Sequence, residues 1–152
     1  MLRPKNILVP TDFSEYSDKA LKQALDIAKD YHSKVYLLHV IGEHTIQTVE
    51  EYSIDVEIIK QLDNQLLLKA KESMQKELDK YNNQTKGEIE IIPIIRNGVP
   101  YEEILKEADD KKVDLIVIAS LGKTGIKKYF LGGVAQNVLK GSKCPVLLTK
   151  DA

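Results

Sequence analysis

Short, almost wholly apolar runs alternate along this chain with longer segments whose apolar residues recur every three or four positions. The short runs predict strands at Asn6 to Val9, Lys34 to Val40, Glu88 to Ile95, Asp114 to Ala119 and Pro145 to Thr149. The longer segments carry the helical period. Leu21, Ala24, Leu25 and Ala28 share one face of a helix that opens in the cap chemistry of Asp12 to Ser17 and runs to about Tyr31. Ile59, Leu62, Leu66, Ala70, Met74, Leu78 and Tyr81 mark a long amphipathic helix, closed by the breaker cluster Asn82 to Gly87. Asn97-Gly98-Val99-Pro100 opens a third helix, with proline in its first turn and Ile104, Leu105 and Ala108 on its apolar face. Val134, Ala135, Val138 and Leu139 form a fourth, stopped by Gly141, while Ile41 to about Ser53 has no period and reads as a loop.

The resulting order is β-α-β-α-β-α-β-α-β, without a repeat or a linker. Such alternation predicts one α/β domain over residues 1–152, a parallel sheet with helices on both faces. Asp114 to Ala119 is apolar at almost every position and belongs in the covered middle of the sheet. The strand interrupted by Pro93 belongs at an edge, where a missing N–H is tolerated. Physics alone leaves the strand order open.

Composition narrows the function classes. The chain of 152 residues is 43% hydrophobic and 30% charged, with no apolar run near the roughly 20 residues of a membrane span. Its N-terminus does not read as a leader, and the single Cys144 excludes an intrachain disulfide, so a cytoplasmic protein without a membrane partner is expected. Charge is unevenly spread. Leu115 to Lys150 holds six of the 22 basic residues and none of the 23 acidic ones. This segment is either a basic solvated face or one that meets a small anion. Nucleic acid is not the expected partner, because the chain as a whole is not basic and the segment offers only Tyr129 and Phe130 for stacking.

The chemistry concentrates in Ala119 to Gly133, where an apolar strand runs through a loop rich in glycine and lysine into a helix start. Free N–H groups and the positive dipole end make a helix start an anion site. Gly122-Lys123-Thr124 is not a P-loop, since that motif needs glycine five positions before its Gly-Lys pair and Val117 stands there. Asp12, at the tip of the first strand, is open to two readings: a turn and helix cap, or an acceptor for a ribose hydroxyl or a metal ion. His32, His39 and His44 share no metal-ligand spacing, and His39 reads as a satisfied core residue. Cys144 has no base near it in sequence and reads as inert, and no catalytic constellation is evident.

ILVPTDFSEYSDKAL at the front, LLHV closing the second strand, and VDLIVIASLGKTGIKKYFLGGVAQNVL followed by KCPVLLTK resemble the universal stress proteins over essentially the whole chain. The resemblance implies an adenine nucleotide alpha hydrolase-like fold: an open five-stranded parallel sheet in the order 3-2-1-4-5 with two helices on each face. Members that bind ATP carry Gly-x-x-Gly, nine residues, then Gly-Ser or Gly-Thr. Here Ala119, Gly122, Gly132 and Gly133 fill those four slots. Gly122 and Gly132 match. Ala119 brings a methyl group towards the ligand's approach, and Gly133 removes the hydroxyl.

By the same resemblance, Pro10, Thr11 and Asp12 would line the adenosine part, Val40 would meet the adenine edge and Ile118 would flank the base. Backbone N–H groups from Gly132 through Gly133 and Val134 to Ala135 would cradle phosphate, and Asp12 could help hold Mg2+ through the nucleotide. The implied function is a homodimeric stress-response regulator that binds ATP, ADP or AMP, paired through Val146 to Thr149, with an unidentified client and at most slow ATP hydrolysis. The alternative is an interaction module of the same fold without a working nucleotide site.

Overall fold

The strand at Asn6–Pro10 (β1) lies at the middle of the sheet, where Ile7, Leu8 and Val9 are fully buried in succession. Only a strand covered on both faces buries consecutive side chains. In the computed structural model, which describes residues 2–42, 55–121 and 132–150, β1 pairs in parallel with β2 (Lys34–Gly42) and with β4 (Leu115–Ala119). β3 (Ile91–Gly98) extends the sheet beyond β2 and β5 (Val146–Thr149) beyond β4. The order is β3-β2-β1-β4-β5, so Pro93 stands on an edge strand.

Among the described residues four helices cover the two faces in pairs. α1 (Glu15–Tyr31) and α2 (Val56–Thr85) pack with Ile7, Val9, Val35, Leu37, Leu115 and Val117. α3 (Pro100–Asp110) and α4 (Gly133–Gly141) pack with Leu8, Leu38, Ile94, Ile116 and Ile118. α1 opens at Ser14, whose side chain accepts the Ser17 N–H, and closes at His32 in the left-handed region (φ 55°). α3 has no side-chain cap and starts with Pro100 in its first turn, where the missing N–H costs nothing.

β2 takes Ile41 and Gly42 from the segment read as a loop, whose remainder, 43–53, lies outside the described residues. Two further elements differ from the pattern read in the sequence. β3 lies about three residues later, because its ladder with β2 runs from Val35 and Ile91 to Gly42 and Gly98. The Glu-Ile-Glu start precedes the ladder, although Ile89 is buried in the core. Asn97-Gly98 is therefore the end of β3 and not the opening of α3, which starts after Val99. Gly98 is needed there: its φ is +152°, and a Cβ would stand 2.7 Å from the Glu103 side chain.

The second difference is in α2, where only Ala70, Met74 and Tyr81 are buried, while Leu62 and Leu66 are more than 40% exposed. A helix of 30 residues is about 45 Å long, whereas a strand of nine spans about 30 Å. The helix outruns the sheet it covers.

Candidate functional site

The C-terminal ends of β1, β2 and β4 meet the first turns of α3 and α4 around a cleft of about 280 Å3. β2 and β3 lie on one side of β1 and β4 and β5 on the other, so this is the point where the chain's winding reverses. Open α/β sheets hold ligands at such a point. Ten of the expected residues line the cleft: Pro10, Thr11 and Asp12 after β1, Val40 on β2, Ile118 and Ala119 on β4, and Gly132, Gly133, Val134 and Ala135 at the start of α4. Gly122, with Lys123, Lys127 and Lys128 of the basic segment, lies outside the described residues.

The turn after β1 is held by its own polar side chains. The Thr11 N–H donates to the Leu38 carbonyl at 2.8 Å, which ties the tip of β1 to β2. Asp12 Oδ1 accepts the Ser14 N–H and the Ser17 hydroxyl, both at 3.0 Å. Asp12 is therefore an Asx turn that leads into the Ser14 cap, and it also faces the cleft. The turn reading of this residue holds, and the turn sets it at the rim of the cleft. Between Asp12 and Ser14, Phe13 takes a left-handed φ of 64° and rests on the His39 ring, with centroids 4.5 Å apart. His39 Nδ1 lies 2.8 Å from the Thr11 carbonyl oxygen. A carbonyl only accepts, so Nδ1 carries the proton.

The α4 side of the cleft is backbone. The Gly132 N–H donates to the Ser120 carbonyl at 2.8 Å, so it is committed to the protein, and the first N–H to bond back along the helix is that of Gln136. This corrects the expectation for Gly132: the N–H groups without an intrahelical acceptor are those of Gly133, Val134 and Ala135. A Cβ on Gly132 would stand 3.2 Å from the Ser120 oxygen, whereas one on Gly133 would meet nothing within 4 Å. The first glycine serves a close backbone approach; the second leaves room.

Ala119 shares its side of β4 with Leu115 and Val117 and packs against the α1 core layer. Its methyl group is thus anchored away from α3 and α4. The described residues lining the cleft include no lysine or arginine, and Asp12 is their only carboxylate. An anion here would be held by backbone N–H groups, and a cation or hydroxyl by Asp12. Among the described residues no group of three or more His, Cys, Asp or Glu side chains is arranged to hold a metal ion.

The sequence reading missed Ser17, Leu38, His39, Ser120 and Leu121 as lining residues, together with Pro100 and Ile104. Ser17 had a signal, since it lies three residues after the Ser14 cap in the turn that holds Asp12. Pro100 and Ile104 had none, because only the strand order brings α3 over the end of β2.

The chain matches the family model described as the universal stress protein family across residues 4–150. It is 38% identical to universal stress protein MJ0577 of Methanocaldococcus jannaschii, over 96% of this chain and 94% of that one. It is 33% identical to universal stress protein YxiE of Bacillus subtilis, over 95% and 97% of the two chains. The solved structure of MJ0577 matches with a TM-score of 0.77 at 37% identity, over 99% of both chains. UspA from Lactobacillus plantarum matches at 0.82 with 22% identity, covering 99% of this chain and 100% of that one. A universal stress protein solved in complex with cAMP matches at 0.64 with 22% identity, over 98% of both. These last two likenesses are of fold alone. No helix among the described residues is long and apolar enough to cross a membrane.

Proposed function

Because the chain belongs to the universal stress protein family, we propose that its cleft binds an adenine nucleotide, ATP with Mg2+ or ADP or AMP, and that the protein acts as a cytoplasmic, homodimeric stress-response regulator and not as a fast enzyme. The observation that carries this reading is the convergence of three distant segments on one cleft, with Asp12 on one side and three free N–H groups on the other. The apolar Val40, Ile118 and Ile104 suit a flat base, Asp12 suits a ribose hydroxyl, and the start of α4 suits phosphate. cAMP bound to one neighbour of the same fold is compatible with this ligand class.

The fit to Mg2+ is limited to one side chain. Asp12 accepts two hydrogen bonds at Oδ1, as an ionised carboxylate does, and would be a single protein ligand beside the nucleotide's own phosphates. When bound with the nucleotide, the ion would neutralise phosphate charge. Nothing on the described cleft wall reads as a nucleophile with its base or an arginine for transition-state charge, which supports regulation over turnover. Pairing of two copies through β5 is supported by its place at the sheet edge and the exposure of Leu147.

Protein purified without added nucleotide, then denatured, is expected to release ATP, ADP or AMP in amounts approaching one per chain. If none is released and none binds when supplied, the nucleotide reading falls. The second reading, an interaction module with no nucleotide, is favoured by the missing hydroxyl at Gly133 and by the lack of lysine or arginine on the described wall. It predicts partner binding and dimerisation that do not respond to Asp12→Ala.

A further inference from the structure

A second polar cluster lies away from the cleft lining, where α2 packs against α1. Asp18 Oδ1, Glu77 Oε2 and the Tyr81 hydroxyl are buried, and among the described residues none has a hydrogen-bond partner. Tyr81 is 0% exposed and sits in the core layer with Leu21, Met74 and Val35. An unpaired buried polar atom destabilises the fold, so three at one junction require an explanation.

The two carboxyl groups supply it, since they stand within hydrogen-bonding reach of each other. Two carboxylates so placed repel. One proton between them turns the contact into a charge-assisted bond and satisfies an oxygen on each. Lys80 Nζ lies 3.8 Å from Asp18 Oδ2, and burial favours the proton on Glu77.

Burial, then the charge of Asp18, then the bond to Asp18 push the Glu77 carboxyl up to about 7, against a smaller opposing pull from Lys80. Burial and the same two carboxyl groups also raise the Tyr81 phenol, which stays a neutral O–H. Among the described residues, the charged and titratable groups at this junction are thus Asp18 from α1 and Glu77, Lys80 and Tyr81 from α2. The strands beneath contribute Val9, Val35 and Leu37. The nearest titratable group on that side of β2, His39, is bound to Thr11, and Lys22, one turn along α1, is exposed.

We propose that Asp18 and Glu77 share a single proton that latches α2 to α1, and that losing this proton as pH rises loosens the first turn of α1, the wall of the cleft that holds Asp12. Asp18 is joined to that wall directly. Its N–H donates to the Ser14 carbonyl at 3.0 Å, and its neighbour Ser17 lines the cleft and donates to Asp12 Oδ1. An effect on a bound nucleotide rests on the proposed function; the latch itself does not.

The sign follows from linkage. The folded chain holds the Glu77 proton more tightly than the unfolded chain, whose value is 4.5. The latch's stability is complete below that value and is lost as pH rises through about 7.

The test uses the nucleotide-free full chain beside Glu77→Gln, whose amide donates to Asp18 at every pH, and Asp18→Asn. Between pH 6 and 8 the folding equilibrium constant of the wild type should fall about tenfold more than that of Glu77→Gln. The backbone-assigned Glu77 carboxyl should titrate near 7 by 13C NMR in the wild type and lower in Asp18→Asn, where burial alone still raises it. Hydrogen-exchange protection of the first turn of α1, corrected for intrinsic rates, should fall over the same range in the wild type only. Equal pH slopes, or a wild-type Glu77 that titrates below 5, overturn the latch. Unchanged protection of that turn overturns its reach to the cleft. Failure of every adenine nucleotide to bind would remove the proposed function and leave these readouts standing.

Discussion

A methyl group built on Gly133 meets no atom within 4 Å, while one on Gly132 presses to 3.2 Å from the Ser120 carbonyl oxygen. Neighbouring glycines in one motif therefore answer to different causes, and two substitutions separate them. Gly133→Ser fits the space and returns a hydroxyl to the start of α4. It should tighten ATP binding about 3- to 10-fold, on the scale of about 1 kcal/mol for one hydrogen bond, without loss of stability; calorimetric titration reads the first and urea unfolding the second. Gly132→Ala should cost about 1 kcal/mol in urea unfolding, because the backbone contact with Ser120 must lengthen.

Residue identities at the cleft were largely legible in the sequence. Pro10, Asp12 and Ala119 end apolar runs, and glycines flag a close approach. The partner of the Gly132 N–H was not legible, since Ser120 reaches it across twelve residues of chain.

Among the elements, β1, β4 and α1 lie within a residue or two of their sequence patterns, because caps and fully buried runs are local signals. β3 and α2 depart from theirs for a nonlocal reason. A strand ends where its neighbour's ladder ends, and a helix is buried only as far as the sheet beneath it extends. Edge strand β3 gains a further tie that the sequence hid: Arg96 Nε donates to Glu107 Oε1 at 2.7 Å, joining β3 to α3. Glu107 is almost fully buried while Arg96 is about half exposed. Removing the arginine leaves a buried carboxylate unpaired, so Arg96→Ala should cost about 2 kcal/mol in urea unfolding. Glu107→Gln keeps an acceptor for Arg96 and should cost less.

At the scale of the whole molecule, strict alternation of strands and helices fixes the layered architecture but not the order of the strands. The order came from the resemblance, and it is what makes a site. It sets β1 between β2 and β4, opens the cleft at their shared ends, and carries over it α3, whose sequence signalled a helix but not a cleft wall. The central claim is that this cleft binds an adenine nucleotide. Calorimetric titration of the emptied protein with MgATP, ADP and AMP tests it most directly, beside Asp12→Ala, a variant that keeps the Ser14 cap. The wild type should bind at least one of the three below about 1 mM, near −4 kcal/mol, and Asp12→Ala should lose about tenfold or more. No binding of any of the three at millimolar concentration, or equal affinity in the variant, would contradict it.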